Sequence, residues 1–218
     1  MKKYILLSFI TIILSNGNVL SQKKDIYINT IPYKLSVYNE PVDFLVQENR
    51  ITLTAKGKTN LFNNPNGNYY VQDAPMLLFE PKGDFTLISR VTGQLKSIYD
   101  VAALVIYQHN DLWAKLCYEK SVDEKPTIVS VVTRKYSDDC NSEPTGSSAW
   151  LSIVRNGNIF KFYYSQDGQK WTMVRHFHLD ITGKLKAGFA SHGSRGDGFT
   201  AEFSDIRYFD KALDNMQE

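Results

Sequence analysis

Two stretches of this sequence alternate aromatic and polar side chains in a way that suits ligand binding. In the first, a turn at Asn110-Asp111 separates two alternating runs and predicts a hairpin in which His109 lies opposite Leu112. Successive side chains of a strand point to opposite faces, so this pairing sorts the hairpin into two sets. The set predicted to face the core is Ala103, Val105, Tyr107, Ala114, Leu116 and Tyr118. The set predicted on the opposite face is Ile106, Gln108, Trp113, Lys115, Cys117 and Glu119.

The second stretch is centred on Asn156-Gly157. This dipeptide predicts a type I′ hairpin turn, because both central residues of that turn need a positive φ and Asn-Gly tolerates it. Arg155 then lies opposite Asn158. The apolar face, predicted to enter the core, is Leu151, Ile153, Phe160, Phe162 and Tyr164. The other face carries Trp150, Ser152, Lys161 and Tyr163.

The two non-core faces together predict a site for a carbohydrate or glycan ligand. Aromatic rings stack on the CH faces of sugars, and polar groups between the rings bond to hydroxyl groups. The residues predicted to bind the ligand in one shared groove are Gln108, Trp113, Lys115, Glu119, Trp150, Lys161 and Tyr163. The plainer alternative is that a curved sheet carries aromatic residues on both sides only to cover it.

Catalysis is the less favoured interpretation of these residues. Retaining glycosidases need two carboxyl groups about 5 to 5.5 Å apart, and the sequence has no E-x-D-x-E pattern and no G-x-S-x-G motif. Glu119 is the acid placed on the candidate face, and Asp138 is a partner from a loop. The first alternative is therefore a glycan-active hydrolase or lyase that uses Glu119, with Lys115 or Arg155 stabilising charge. The second is a protein-interaction module, whose aromatic patch would be flat rather than grooved.

Metal binding has two weak candidates. Asp139, Asn141 and Glu143 offer oxygen atoms at alternate positions, as calcium requires, but the segment lacks the glycine and the spacing of an EF-hand loop. A solvated acidic loop is commoner, so no cofactor is predicted and calcium is the weaker alternative. His176 and His178 alternate along a strand with no third ligand nearby, which favours a half-exposed strand face over a metal site.

The fold class follows from the sequence of short alternating runs after Ile26. Turn signals recur between them, and no segment of ten residues outside the amino terminus has a clean 3.6-residue apolar period. Many short antiparallel strands predict an all-β, two-sheet antiparallel sandwich. With no repeat and no linker, residues 23–218 are predicted to form one domain.

Residues 1–22 are predicted to be a cleaved signal peptide. Lys2 and Lys3 precede an apolar run from Tyr4 to Leu14, which is shorter than the roughly 20 residues needed to span a bilayer. Cleavage is expected after Ser21, and the absence of a nearby cysteine argues against a lipoprotein anchor. The protein is therefore expected to be secreted or periplasmic, without stable insertion in a membrane.

The charge balance limits the classes of partner that the protein is expected to bind, and the two cysteines raise the question of a disulfide. Without Lys2 and Lys3, 23 of the 25 basic residues remain, against 23 acidic ones, so a nucleic-acid partner is not expected. Cys117 and Cys140 would meet an oxidising compartment, and the sequence leaves their pairing open because it does not give the distance between their Cα atoms. The sequence carries no prediction of the oligomeric state.

Several motifs together resemble a known family. They are Ser130-Val131-Val132-Thr133, Ser137-Asp138-Asp139-Cys140-Asn141-Ser142, Trp150-Leu151, and the spaced run from Tyr164 through Asp167-Gly168 and Trp171 to Phe177. The resemblance is to the bacterial domain-of-unknown-function family 1349, whose fungal relatives are named regulation-of-enolase proteins, and it covers roughly Asp43 to Phe209. It implies a concanavalin A-like jelly roll of the lectin and glucanase superfamily, with a concave sheet where sugars bind, and no established activity.

The chain departs from that family pattern at two places. An arginine expected after Trp150-Leu151 is replaced by Ser152, and the usual Gln-Ser-Pro after the Gly-Phe-Ala strand is replaced by Ser191-His192-Gly193. Both departures are expected to lie at the concave face and to alter ligand preference.

Overall fold

The computed structural model describes residues 25–213 and Met216, and within these residues the side chains of Glu143 and Pro144 are left undescribed. The predicted signal peptide, residues 1–22, therefore lies outside the described residues. The described part contains strands and no helix, so it contains no helix able to cross a membrane.

The strands are, in chain order, β1 (Ile26–Ile28), β2 (Ile31–Tyr38), β3 (Asp43–Gln47), β4 (Arg50–Lys56), β5 (Leu61–Asn63), β6 (Tyr70–Gln72), β7 (Met76–Phe79), β8 (Phe85–Thr92), β9 (Asp100–His109), β10 (Leu112–Lys120), β11 (Pro126–Arg134), β12 (Tyr136–Pro144), β13 (Ser148–Asn156), β14 (Ile159–Ser165), β15 (Thr172–His178), β16 (Lys186–Gly193) and β17 (Gly198–Phe209).

Two large sheets pack face to face. One has eight strands in the order β1-β2-β7-β16-β9-β10-β11-β12, and the other has seven in the order β15-β14-β13-β8-β17-β4-β3. Strands β5 and β6 form a separate hairpin. Neighbouring strands pair antiparallel, and the crossovers between non-consecutive strands make the fold a jelly-roll β-sandwich, as the sequence predicts.

The core between the sheets is built from the alternating apolar residues of both. Leu104 and Leu116 of the eight-stranded sheet and Leu151 and Phe162 of the seven-stranded sheet belong to one buried cluster, each 0% exposed. The predicted core face of the second hairpin is confirmed, since all five of its members lie in this cluster. The contact between the sheets is therefore made by the apolar residues that recur at every second position of their strands.

The turn of the second hairpin differs from the prediction. Asn156 pairs with Ile159, so the loop residues are Gly157 and Asn158, and of these Gly157 has the positive φ, 58°. A glycine with positive φ at the first loop position is typical of a type II′ turn rather than type I′. Each residue of β13 pairs with the residue two positions further along β14 than predicted. Because side chains alternate with a period of two, this shift leaves every side chain on its predicted face.

A β-bulge changes the first hairpin more. Leu112 pairs with His109 as predicted, but Trp113 pairs with Tyr107, so Gln108 is the extra residue of β9. One extra residue exchanges the faces of the rest of that strand. Ile106 consequently faces the main core, while Tyr107 packs on the outer face of the sheet. The predicted faces of β10 are confirmed, and those of β9 are wrong.

The segment predicted as a polar loop around Cys140 is the edge strand β12. Its backbone pairs with β11, Cys140 opposite Ser130 and Asn141 opposite Val129. Val129 also pairs with Cys117, so Cys117 and Asn141 share one face and Cys140 lies on the other. A disulfide between two cysteines on opposite faces of a sheet cannot form without rearranging the backbone, and both thiols are free.

The hairpin β5–β6, with its flanking residues 60–73, folds over the outer face of the eight-stranded sheet and is called the flap here. Asn63 is 0% exposed and fastens it: its Nδ2 donates to the backbone carbonyls of Asn110 and Lys135, both at 3.0 Å. Gln72 Nε2 donates to Asn63 Oδ1 at 2.7 Å. The flap is thus anchored to the turns at one end of the sheet, and a second apolar cluster forms beneath it.

Candidate functional site

A polar pocket of about 460 Å³ opens on the outer face of the eight-stranded sheet. Its floor is made by neighbouring strands in register: Lys115 on β10 pairs with Val131 on β11, and Val131 pairs with Asp139 on β12. Glu119 lies four residues along from Lys115 and therefore on the same face. Across β9 from Glu119 lies His192, because both pair with Val101.

Two segments form the walls of the pocket. The flap contributes Asn60, Phe62, Asn64, Asn68 and Tyr69. The other wall residues are Tyr99 and two residues of the turn after β16, Ser194 and Arg195; this turn, residues 194–197, is called the rim loop here. The rim loop is packed tightly against the chain beside it, because a Cβ atom on Gly57 would lie 2.4 Å from the carbonyl oxygen of Gly196. Both walls are therefore held in place by structure outside the pocket.

Lys115 and His192 form a buried polar pair. Each is 2% exposed, and Lys115 Nζ lies 3.0 Å from His192 Nε2. Burial, together with the lysine charge, lowers the pKa of His192 well below its usual value, so the imidazole is neutral. Since an ammonium group has only donors, Nε2 accepts and the proton lies on Nδ1, which is 3.2 Å from Ser194 Oγ.

The Lys115 ammonium has no carboxylate within 4.0 Å in the part of the chain that the structure describes. The ring of Trp113 lies nearby, with its centroid 6.0 Å from Nζ. A buried ammonium group is costly unless it is paired, and a neutral imidazole is a weak substitute for a counter-ion. The pocket floor therefore offers a positive charge that no described side chain pairs at ion-pair distance.

Glu119 is another titratable group on the floor and is 8% exposed. Burial raises its pKa to about 7, with Lys115 opposing the rise and Asp139 adding to it. Near neutral pH the carboxyl group is thus present in both protonation states. A carboxyl group in this condition can either donate or accept a proton.

The pocket contains some of the predicted ligand-binding residues and not others. Lys115 and Glu119 line it, and so does Asp139, which was predicted only as a weak calcium candidate. Trp113 lies beneath the flap, 0% exposed, with its indole N–H donating to the carbonyl of Asn110 at 3.1 Å, so it presents no ring face to a ligand. Gln108, the bulge residue, lies beside Gly183 and outside the pocket lining.

The other predicted residues lie on the outer face of the seven-stranded sheet. Trp150 and Tyr163 pack there in a small apolar cluster with Trp171 and Met216, and Arg207 lies over the Trp150 ring at 5.2 Å. Lys161, on the same strand as Tyr163, belongs to this sheet as well. The prediction that both hairpins line one groove is wrong. Each hairpin turns its aromatic-polar face to the outer face of its own sheet, and the two sheets have their outer faces on opposite sides of the sandwich.

The strand β12 brings two of the three calcium candidates, Asp139 and Asn141, to one face. Among the side chains that the structure describes, no group of three or more His, Cys, Asp or Glu residues is arranged to hold a metal ion. His176 and His178 lie on the edge strand β15 and are exposed.

His192, Arg195, Tyr69 and Tyr99 are pocket residues that the sequence did not predict. His192 stands where the chain departs from the family pattern at Ser191-His192-Gly193, and that departure does touch the pocket. Ser152, the other departure, lies on the seven-stranded sheet with its hydroxyl 3.9 Å from the Met216 sulfur. The aromatic-polar pattern therefore gave Lys115 and Glu119, and the family departure was the signal that could have added His192.

Fold and site define a jelly-roll sandwich with a buried cationic group in a polar pocket. Residues 37–211 match the family described as "Protein of unknown function (DUF1349)", and the chain belongs to that family. A curated relative, "Regulation of enolase protein 1" of Saccharomyces cerevisiae, is 25% identical over 139 residues, which cover 63% of this chain and 70% of the relative.

Two solved structures share the fold. A functionally unknown protein from Saccharomyces cerevisiae superposes with a TM-score of 0.75 at 21% identity, covering 80% of this chain and 95% of that one. A xylan β-1,4-xylosidase from Bacillus halodurans C-125 superposes with a TM-score of 0.56 at 17% identity, covering 72% of this chain. This chain spans 32% of the xylosidase, so the likeness concerns one part of that enzyme.

Proposed function

We propose that this protein binds a carbohydrate or glycan in the pocket on the outer face of the eight-stranded sheet. The observation that carries the proposal is the combination of a buried polar floor, Lys115, His192 and Glu119, with an exposed aromatic ring and several amides at the rim. Sugars present hydroxyl groups that both donate and accept and CH faces that stack on rings, and this pocket offers partners for both.

The flap supplies the adaptable part of this chemistry. Asn60, Asn64 and Asn68 carry side-chain amides, each with two donors and an acceptor oxygen. Tyr69 is 41% exposed, enough to offer its ring to a sugar. The fold is also that of carbohydrate-active enzymes, among them the xylosidase above, which supports the same class of ligand for this chain.

We further propose that the protein acts outside the cytoplasm, either secreted or in the periplasm. The support is the amino-terminal pattern of Lys2-Lys3 followed by a short apolar run. Expressed in full in a bacterium, the protein is expected outside the cytoplasm with a new amino terminus near Gln22. An intact amino terminus on cytoplasmic protein would contradict export.

The test of the binding proposal is a glycan array probed with the protein expressed in full. The rim variant Tyr69→Ala is expected to weaken binding about fivefold or more, since it removes one stacking ring. Tyr27→Ala is the matched control, because Tyr27 is 58% exposed and lies on the edge strand β1. The proposal fails if the array shows no binding, or if the two variants lose affinity equally.

A second candidate function is a glycan-active hydrolase or lyase. The observation that favours it is the pKa of Glu119 near 7, which suits a general acid or base at neutral pH. Incubation of the array ligand with the protein, followed by mass spectrometry, tests it. Cleavage that Glu119→Gln slows about 10² to 10⁴-fold while binding remains would establish catalysis, and an intact ligand would leave the protein a binder.

A further inference from the structure

We propose that the ligand of this pocket is an acidic glycan, one of whose carboxylate or sulfate groups pairs with the Lys115 ammonium. This inference rests on the proposed function and adds the chemical class of the ligand. Lys115 is 2% exposed and lines the pocket, so its charge is buried in the protein yet reachable from the cavity.

The Lys115 ammonium group has hydrogen-bond donors that no described group accepts from. Of its three N–H donors, one is taken by His192 Nε2 at 3.0 Å. Among the described groups of residues 25–213 and Met216, which do not include the side chain of Glu143, no other accepts a hydrogen bond from Nζ. A buried ammonium group with free donors favours an anion beside it, because an oxyanion accepts those donors and neutralises the charge at once.

The carboxyl groups that line the pocket do not form an ion pair with Lys115. Glu119 and Asp139 line the same cavity, but neither lies within ion-pair distance of Lys115 Nζ in the described structure. Burial keeps the Glu119 carboxyl group partly protonated near neutral pH. The place beside the amine is therefore left to a ligand.

Arg195 adds a second cation at the mouth of the pocket. It is exposed on the rim loop and lines the cavity, and it forms no ion pair with a described carboxylate. A guanidinium group offers a planar pair of donors that suits a carboxylate or a sulfate. A chain of acidic sugars would thus meet one cation at the rim and another at the floor.

Two matched pairs of tetrasaccharides test the proposal and separate the two sources of negative charge. Tetragalacturonate is compared with its methyl ester, and a κ-carrageenan tetrasaccharide with its desulfated form, by isothermal titration calorimetry on the protein expressed in full. At least one acidic member is expected to bind at least about tenfold more tightly than its neutral counterpart. The pair that shows the difference identifies carboxylate or sulfate.

Variants then locate the charge that matters. Lys115→Gln and Arg195→Gln are expected to lower affinity for the acidic probe about tenfold or more, and to lower affinity for its neutral counterpart clearly less. Lys184→Gln is the control, since Lys184 is exposed and paired with Glu80 at 3.0 Å. If Lys115→Gln unfolds the protein in a thermal melt, Arg195→Gln decides, because it alters only an exposed loop residue.

The outcomes are distinguishable. Equal affinity for the two members of each pair, or preference for the neutral member, overturns the acidic-glycan inference and leaves the proposed function standing. Equal loss in Arg195→Gln and Lys184→Gln also overturns it. If neither these probes nor any glycan on the array binds, the proposed function fails and the inference fails with it.

Discussion

Lys115 Nζ and His192 Nε2 lie 3.0 Å apart on the pocket floor, although 77 positions separate the two residues in the chain. The neutral imidazole can only accept from the ammonium through Nε2, which fixes its proton on Nδ1. The pair therefore sets both the position of the amine and the protonation state of the histidine.

The first prediction concerns this protonation state. Lys115 and Ser194 contact the His192 ring, and Glu119 lies two strands away on the same face, across β9. Because burial and the lysine charge lower the pKa of His192, its ring should not take up a proton between pH 8 and pH 6. Long-range ¹⁵N NMR spectra of the imidazole should show the Nδ1–H tautomer throughout. A titration with a midpoint inside this range would contradict the assigned pair.

The second prediction is that Glu119→Gln stabilises the protein at high pH. The folded-state pKa of about 7 lies above the unfolded value of 4.5, so the folded protein binds the extra proton between these values. The raised pKa therefore stabilises the folded protein fully below pH 4.5. This contribution, up to about 3 kcal/mol of unfolding free energy, is lost as the pH rises through 7. The side-chain amide of the Glu119→Gln variant does not ionise, so its stability does not fall for this reason.

Denaturant unfolding at pH 4.5 and pH 8 measures this effect. The variant and the native protein should differ little at pH 4.5, and the variant should be the more stable at pH 8. Glu40→Gln, which changes an exposed residue, is the control and should show no such divergence. A native protein that gains stability between pH 4.5 and pH 8 relative to Glu119→Gln would contradict the buried carboxyl group.

The third prediction tests the faces of the second hairpin. Phe162 is 0% exposed in the core between the sheets, and Phe162→Ala should cost about 3 to 5 kcal/mol of unfolding free energy. Tyr163 is 7% exposed in the smaller outer cluster, so Tyr163→Ala should cost clearly less. Urea melts of the two variants provide the comparison, and equal losses would mean that the faces are misassigned.

Much of the fold was predictable because the second hairpin and β10 alternate strictly. The turn at Gly157-Asn158 shifts the register by two residues, and an even shift keeps Leu151 and Phe160 in the core. The bulge at Gln108 shifts β9 by one, and an odd shift exchanges its faces. Nothing in the local pattern distinguishes a bulged strand from a regular one, so this part of the prediction failed.

The site was less predictable, for a different physical reason. Alternation tells which residues leave the core but not which of the two outer faces they reach, and this placed Trp150 and Lys115 wrongly in one groove. The pairing of His192 with Lys115 depends on β16 lying beside β9, a contact between distant parts of the chain. The tyrosines and amides of the flap were hidden because turn residues such as Asn64 and Gly67 predict a turn and not the surface it covers.

The proposed ligand site lies over the eight-stranded sheet, and the three tryptophans of the chain allow a direct measurement of where the ligand binds. The Trp113 ring lies 6.0 Å from Lys115 Nζ, while Trp150 and Trp171 pack on the outer face of the other sheet. On titration with the strongest glycan binder from the array, the Trp113 indole N–H resonance should shift in a ¹⁵N-correlated NMR spectrum and the other two should stay in place. A shift of Trp150 or Trp171 with Trp113 unmoved would contradict the account.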